Sequence, residues 1–185
     1  MYELIVIGVS AGGMQALSRL LPALPDDYKI PVAIVQHISA NNNNDYLPSY
    51  YSRICQLPVS WASPAMPIKE GHIYFAPPGY HLLVESDRTF NLSVDDWVNH
   101  SRPSIDVLFD SAADVFREKL VGAILTGASS DGSKGLRNIK NHNGLILVQD
   151  PEEAEVDTMP RAAIETVGVD KTFSLNELKL LLMDL

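Results

Sequence analysis

A glycine-rich segment near the N-terminus constrains the fold more than any other part of this sequence. Residues 8–13 read GVSAGG and directly follow the apolar run 4–7. The apolar run predicts a buried strand, and apolar residues at helical spacing between positions 14 and 21 predict a helix after the glycines. On such a strand-to-helix turn, Ser10 is either a nucleophile with room for a substrate or part of a loop that cradles a phosphate. Residues elsewhere in the chain have to decide between a nucleophile and a phosphate-binding loop.

The composition is that of an ordinary globular protein. The chain has 185 residues, 46% of them hydrophobic and 20% charged, and we expect one domain over residues 1–185. The formal net charge of −9 argues against a nucleic-acid partner, and no stretch approaches the roughly 20 apolar residues of a membrane span. The lone Cys55 excludes an internal disulfide, and Glu3 interrupts an apolar run too short for a signal peptide. The expected location is the cytoplasm.

Strand and helix signals alternate along most of the chain. Apolar runs predict the strands, and apolar residues three or four apart predict the helices between them. The predicted strands are 4–7, 31–35, 120–125 and 144–148, and the predicted helices are 14–21, 46–55, 104–119, 135–142, 162–166 and a capped helix after Ser174. Long apolar strands between helices indicate a mostly parallel sheet with helices on both faces.

The middle of the chain departs from this alternation. Short β-like pieces occur at 59–61 and 73–76, and residues 81–85 and 89–94 flank a turn-forming stretch that predicts a hairpin. We therefore expect a small antiparallel portion inserted in this region.

Three polar residues follow predicted buried strands, namely Ser10, His37 and Asp131. The carboxyl ends of parallel strands lie on one edge of the sheet, where ligands bind, so neighbouring strands would bring the three side chains together. Serine, histidine and aspartate can divide acyl transfer among a nucleophile, a general base and a carboxylate that orients the base. Taken singly, each residue also has an ordinary structural interpretation, such as a helix cap for Ser10 or Asp131.

Acyl transfer also needs N–H donors for the oxyanion that forms on attack. The backbone amides near Ala11 and Gly12 are candidates, because a glycine-rich turn that enters a helix leaves amides unpaired. The turn at Gly127-Ala128, close to Asp131 in the sequence, is a second candidate.

Two familiar folds with glycine-rich turns fit the chain order poorly. In an α/β-hydrolase the acid precedes the histidine, whereas here Ser10 comes first and Asp131 last. A dinucleotide-binding fold requires glycine where Ser10 stands and an acidic residue at the end of the next strand, which here ends in Gln36-His37. Nucleotide binding at the turn stays open as an alternative. The histidines and Cys55 show no metal-ligand spacing, so we expect neither a metal nor another cofactor.

Several motifs occur in a characteristic order, namely Ile5 to Gly13, Gln36-His37, the block 102–109 (RPSIDVLF), Leu125-Thr126-Gly127 with Asp131-Gly132, and Met159-Pro160-Arg161. Together they resemble the catalytic domain of the chemotaxis-receptor protein-glutamate methylesterases, over nearly the whole chain. The resemblance implies a doubly wound α/β domain with a mostly parallel sheet. It also implies hydrolysis of glutamyl methyl esters on receptor cytoplasmic helices, with release of methanol, and deamidation of certain receptor glutamines.

The resemblance assigns a role to each candidate by position. Ser10 would be the nucleophile, His37 the general base and Asp131 the orienting acid. Arg102, in the Arg-Pro-Ser block, would help to hold the site or meet substrate carboxylates, with a surface ion pair as the ordinary alternative.

The chain departs from the family pattern at three positions. Ala128 stands where many members have methionine and Ser129 where they have glycine, which changes the side chains around the ester pocket. Ala11 replaces a threonine found in some members, which removes a hydroxyl and keeps the amide. The departures at Ala128 and Ser129 motivate an alternative function, that of an inactive or regulatory protein-binding module in a signalling complex.

Members of the family normally have an N-terminal receiver domain over the active site, whereas here Met1 lies almost on the first catalytic strand. We expect either a stand-alone esterase or a fragment of a receiver-containing protein. The expected substrate is a methylated chemoreceptor or similar signalling protein, and a separate receiver or methyltransferase is a further expected partner.

Overall fold

Strands and helices alternate along residues 1–37 and 46–185, the part of the chain that the computed structural model describes. The strands are β1 (Leu4–Val9), β2 (Val32–Gln36), β3 (Val59–Trp61), β4 (Met66–Pro67), β5 (Ile73–Phe75), β6 (His81–Val84), β7 (Thr89–Ser93), β8 (Leu120–Ile124) and β9 (Leu145–Val148). The helices are α1 (Gly13–Leu20), α2 (Tyr46–Tyr51), α3 (Ile105–Phe116), α4 (Ser133–Asn141), α5 (Thr158–Val167) and α6 (Leu175–Asp184), with 3₁₀ turns at Leu21–Ala23 and Arg117–Lys119.

Six strands form the main sheet in the order β3-β5-β2-β1-β8-β9, and every neighbouring pair is parallel. The chain builds outward from β1 on the β2 side first and returns later to add β8 on the other side. The sheet is therefore doubly wound, and its strand order reverses at the carboxyl end of β1, where ligand sites in such sheets lie. The predicted fold class is confirmed.

The central strand β1 is buried on both faces, and its side chains alternate between two cores. Leu4 and Val6 belong to the core beneath α3, α4 and α5. Ile5, Ile7 and Val9 belong to the opposite core, which α1, α2 and α6 cover. Helices thus pack on both faces of the sheet, as the continuous apolar strands predicted.

The small antiparallel sheet has the order β4-β7-β6. The predicted hairpin is confirmed, because β6 pairs with β7 antiparallel across the turn 85–88. The pieces at 59–61 and 73–76 behave differently, since β3 and β5 extend the parallel sheet at its edge. All three residues of β5 are buried, which is typical of a parallel strand covered on both faces, and three residues are too few for a sequence pattern to reveal this.

Helix boundaries differ most from their predictions at the start of α5 and the end of α2. Helix α5 begins at Thr158 rather than 162, because Pro160 lies in its first turn, where the missing N–H costs nothing. Helix α2 ends at Tyr51 rather than 55. The predicted capping box of α6 is present, with Ser174 Oγ accepting from Glu177 N–H. No helix of the described residues is long and apolar enough to cross a membrane.

Gly8 allows α3 to pack directly against the sheet. A Cβ at this position would overlap Ile105 Cγ2 and lie 3.0 Å from Ile105 Cδ1 and Ile124 Cδ1. Gly132 is equally crowded, since its Cβ would lie 2.6 Å from both Ile105 Cγ2 and Ile124 Cδ1. The N-terminus of α3 can therefore approach the end of β1 only because these two positions lack a side chain.

We expect Gly8→Ala to lower the free energy of unfolding by about 1–3 kcal/mol, the usual cost of overpacking a core. Urea unfolding measures this change. Combining Gly8→Ala with Ile105→Ala should give less than the sum of the two separate losses, because the smaller residue makes room for the new methyl. If the two losses in the free energy of unfolding simply add, the contact between these residues is not the cause of the Gly8→Ala loss.

Candidate active site

The carboxyl ends of β1, β2 and β8 place Ser10, His37 and the loop 125–132 at one edge of the sheet. Backbone hydrogen bonds fix the first two residues there. His37 N–H donates to Val9 O at 2.9 Å, and Ser10 N–H donates to Thr126 O at 3.0 Å. These bonds continue the pairing of β1 with β2 and β8 past the strand ends, so the backbones on either side of Ser10 are held in register.

His37 and Asp131 form a direct hydrogen-bonded pair. His37 Nε2 lies 2.9 Å from Asp131 Oδ2, and the side chain of Asp131 is wholly buried. An ionised carboxylate can only accept, so the pair requires a proton on Nε2 of His37. In the neutral imidazole this leaves the lone pair on Nδ1, which is the nitrogen able to take a proton.

The carboxylate of Asp131 lies at the N-terminus of α3. It accepts hydrogen bonds from His37 Nε2 (2.9 Å), Asn99 Nδ2 (2.9 Å), Ser104 Oγ (2.8 Å), Ile105 N–H (2.6 Å) and Asp106 N–H (3.2 Å). Ser104 is the N-cap residue of α3, yet its own side chain does not cap the helix. Asp131 therefore caps α3 from a different segment, where the helix dipole also favours a negative charge.

These contacts determine the charge of Asp131. Burial alone would raise the pKa of its carboxyl, but hydrogen bonds from His37, Asn99 and the Ile105 N–H outweigh burial and hold the pKa below its ordinary value of 3.8. The pKa of Asp106 shifts in the opposite direction. Burial, together with the negative charge of Asp131, raises its pKa above 3.8, although the Gly135 N–H stabilises its charged form. Asp131 is thus the carboxylate that stays ionised beside His37.

The other nitrogen of His37 faces a serine that the sequence analysis did not single out. Ser101 Oγ lies 3.5 Å from His37 Nδ1, a long contact for a hydrogen bond. Ser10 is half-buried, and its Oγ makes no hydrogen bond with another described residue. The described site therefore has a hydrogen-bonded His37–Asp131 pair, and Ser10 Oγ is not hydrogen-bonded to His37.

The glycine-rich turn offers unpaired backbone amides beside Ser10. Gly12 has φ of +79° and precedes the first residue of α1, and neither its N–H nor that of Ala11 bonds to another described residue. Ala128 is exposed, and its N–H is likewise without a partner in the described part of the chain. Gly127 N–H differs because it donates to Val156 O at 3.0 Å.

The side chain of Arg102 makes its contacts with the protein itself. Its Nη1 donates to the backbone carbonyls of Val94 (2.8 Å) and Asp95 (3.1 Å), and its guanidinium lies 5.5 Å from the centre of the Trp97 ring. It forms no ion pair with the described residues, so the surface ion pair considered for it is absent there. Arg102 instead ties the end of β7 to the segment that follows Ser101.

A phosphate would meet negative charge at the turn. A Cβ on Gly12 would lie 3.0 Å from Glu155 Oε2, so this carboxylate stands over the start of α1. Glu153 lines the same cavity, which holds only about 80 Å³. These features oppose nucleotide binding at this turn. No cluster of three or more histidine, cysteine, aspartate or glutamate side chains suited to a metal ion occurs among the described residues.

A sequence model described as CheB methylesterase matches residues 5–182, almost the whole chain. The chain belongs to this family. A putative protein-glutamate methylesterase/protein-glutamine glutaminase of Leptospira interrogans is 50% identical over 177 residues, which is 96% of this chain and 91% of that protein. Protein-glutamate methylesterase/protein-glutamine glutaminase 2 of Anaeromyxobacter dehalogenans is 37% identical over 183 residues, 99% of this chain but 53% of that protein.

A solved structure has the same fold. The crystal structure of the Thermotoga maritima CheB methylesterase catalytic domain superposes with a TM-score of 0.94 at 29% sequence identity, covering 100% of this chain and 98% of that chain. The family resemblance drawn from the motifs is confirmed.

Sequence reasoning missed three polar residues of the site, namely Asn99, Ser101 and Ser104. Asn99 and Ser101 lie in the stretch 95–103, where the motifs singled out only Arg102 and Pro103. Ser104 belongs to the Arg-Pro-Ser block that supported the resemblance, but nothing in the sequence indicated that its hydroxyl contacts Asp131. Spacing along the chain could not reveal these contacts, because Asn99 and Asp131 are 32 positions apart.

We expect Asp131→Asn to lower the free energy of unfolding at neutral pH by about 1–3 kcal/mol, because the α3 amides lose a charged acceptor. The pKa of Asp131 is lower in the folded protein than in the unfolded chain. Its carboxylate therefore stabilises the fold above the unfolded pKa, and this contribution disappears as the pH falls through the lower folded pKa.

The difference between wild type and Asp131→Asn should therefore shrink below about pH 4, as measured by urea unfolding from neutral pH downward. Asp26→Asn, which changes an exposed loop carboxylate, is the control for a simple change of net charge. A difference that stays constant over the whole range would contradict the capping role.

Proposed function

We propose that this protein is a serine hydrolase that removes methyl groups from glutamate methyl esters on chemoreceptor cytoplasmic helices and deamidates certain receptor glutamines. The observation that carries the proposal is the His37–Asp131 pair, in which Nε2 faces the acid and Nδ1 can accept a proton at the same sheet edge as Ser10. The names of the related proteins support the reaction and the substrate residue. The family implies the receptor as substrate.

The first half of the reaction would form an acyl-enzyme. Ser10 Oγ attacks the ester carbonyl carbon while His37 Nδ1 takes the serine proton. The tetrahedral intermediate places its negative charge on the former carbonyl oxygen, where the amides of Ala11, Gly12 or Ala128 can donate to it. When the intermediate collapses, the bond to the methoxy oxygen breaks and His37 returns the proton, so methanol leaves. With a glutamine substrate the leaving group is ammonia.

The second half would release the product. Water attacks the acyl-enzyme carbonyl, His37 Nδ1 takes a proton from that water, and the same proton passes to Ser10 Oγ as the ester bond breaks. The product is the glutamic acid side chain, which ionises to the carboxylate by losing its remaining proton to solvent. Glu155 stands over the start of α1, so its negative charge would disfavour retention of this anion.

Asp131 would support both halves of the reaction without receiving a proton itself. Its lowered pKa keeps it ionised, so it can hold the Nε2 proton of His37 and stabilise the imidazolium that forms in each half.

Ala128 would leave the ester pocket wider than the methionine of other members does. A separate receiver or methyltransferase remains a proposed partner.

We expect Ser10→Ala to lower kcat for methanol release from a methylated receptor fragment by at least about 10³-fold, because a covalent route is lost. Ser101→Ala is the matched control, since it removes the other serine hydroxyl at the site and leaves the nucleophile in place. It should retain most of the activity. Full activity in Ser10→Ala would overturn the nucleophile assignment.

An active-site fluorophosphonate separates the esterase from the alternative of an inactive binding module. This alternative is worth testing because Ser10 Oγ is not hydrogen-bonded to His37, whose Nδ1 faces Ser101 Oγ instead. An esterase should be labelled at Ser10, and labelling should disappear in both Ser10→Ala and His37→Ala. A sound protein that is neither labelled nor active would favour the binding module.

A further inference from the structure

We propose that Asn99 is a positioning residue for the His37–Asp131 pair, acting through its side-chain amide. Among the described residues, the side-chain amide of Asn99 bonds to Asp131 and Asp106 and not to His37 or Ser10. Its effect on the reaction would therefore pass through Asp131. The inference rests on the proposed function, because it assigns Asn99 a role in that reaction.

Asn99 lies in a tight turn whose backbone fixes where its side chain points. Val98 N–H donates to Ser101 O at 3.2 Å, and Ser101 N–H donates to Val98 O at 2.9 Å. The two central residues, Asn99 and His100, have φ of +49° and +61°. Positive φ at both central positions is typical of a type I′ turn, in which asparagine is a favoured first residue. Asn99 is therefore suited to the turn as well as to its contacts.

The amide of Asn99 joins two buried carboxylates. Its Nδ2 donates to Asp131 Oδ1 at 2.9 Å and to Asp106 Oδ2 at 2.8 Å. Asp131 has no exposed surface and Asp106 is 5% exposed, so solvent screens their mutual repulsion poorly. A donor placed between two like charges offsets part of this repulsion and sets the distance between them.

Loss of this amide would leave α3 largely capped and would still change the geometry beside His37. Asp131 Oδ1 would keep its bonds from Ser104 Oγ and Asp106 N–H. The two carboxylates would lose their shared donor, so their mutual repulsion would no longer be offset and Asp131 would be held by one hydrogen bond fewer. Oδ2 of Asp131 holds His37, so a rotation of this carboxyl group changes the His37 hydrogen bond directly.

The same turn also contacts the opposite side of the imidazole. Ser101 Oγ faces His37 Nδ1, while Asn99 bonds to the acid on the Nε2 side. The turn 98–101 therefore contacts Asp131 on the Nε2 side of the ring and Nδ1 on the other side. A structural role alone would not require the turn to reach both sides.

The test replaces Asn99 by glycine, which accepts the positive φ of the turn and removes the side chain with its amide. Two matched controls exist. His100→Gly changes the neighbouring position of the same turn, and Asn143→Gly replaces an exposed asparagine whose φ is +63° in a different turn. Asn99→Asp is a second variant, which keeps the shape of the side chain and adds a third carboxylate.

We expect Asn99→Gly to lower kcat by roughly 10- to 100-fold with little change in KM, because the base is misplaced while the ester pocket is intact. Asn99→Asp should lose at least as much. His100→Gly and Asn143→Gly should keep wild-type kcat. Equal kcat for Asn99→Gly and the two controls would overturn the proposal, as would a loss seen only in KM.

A proton NMR measurement tests the positioning independently of turnover. The His37 Nε2 proton should give a low-field resonance in the wild type, assigned by its loss in His37→Ala. We expect this resonance to shift or broaden in Asn99→Gly and to stay unchanged in both controls. If the wild type releases no methanol, the proposed function fails while this resonance still decides the role of Asn99. An unchanged resonance in Asn99→Gly would overturn the positioning role alone.

Discussion

The carboxylate of Asp131 at the N-terminus of α3 is the interaction on which the rest of the site depends. It accepts hydrogen bonds from Ile105 N–H and Asp106 N–H, two amides that have no partner within the helix. It also accepts the Nε2 proton of His37. The helix end and the imidazole stabilise the same negative charge, so its pKa falls in spite of complete burial. One ionised group thus contributes both to the packing of α3 and to the orientation of the base.

Close packing makes this interaction possible. Gly8 and Gly132 both lie against Ile105, and a side chain at either position would displace the start of α3. On the next helix, Gly135 lets α4 approach α3 closely enough for its N–H to bond to Asp106 Oδ1 at 2.8 Å. These three glycines therefore allow two helices and a strand to converge on Asp131, and among them only Gly132 also has a positive φ.

The two sheets supply different parts of the site. The parallel sheet brings Ser10, His37 and the Asp131 loop together, because its central strands end at one edge. The antiparallel sheet leads into the segment 94–103, which Arg102 ties to the end of β7 through two backbone carbonyls. This second segment supplies Asn99 and Ser101. The three candidate residues therefore follow strands of the main sheet, and two further polar residues near the imidazole come from the insertion.

The sequence by itself determined the strand and helix order, the parallel sheet and the three candidates at strand ends, because apolar periodicity and strand direction are local properties. The pairing of Asp131 with His37 followed from residue types and the family resemblance, and the structure places the two side chains 2.9 Å apart. Only the tertiary structure decided the contacts of Asn99, Ser101 and Arg102, the capping of α3 and the membership of β3 and β5 in the parallel sheet. Each depends on contacts between segments far apart in the chain, and a residue's type and neighbours do not encode which distant group it will meet.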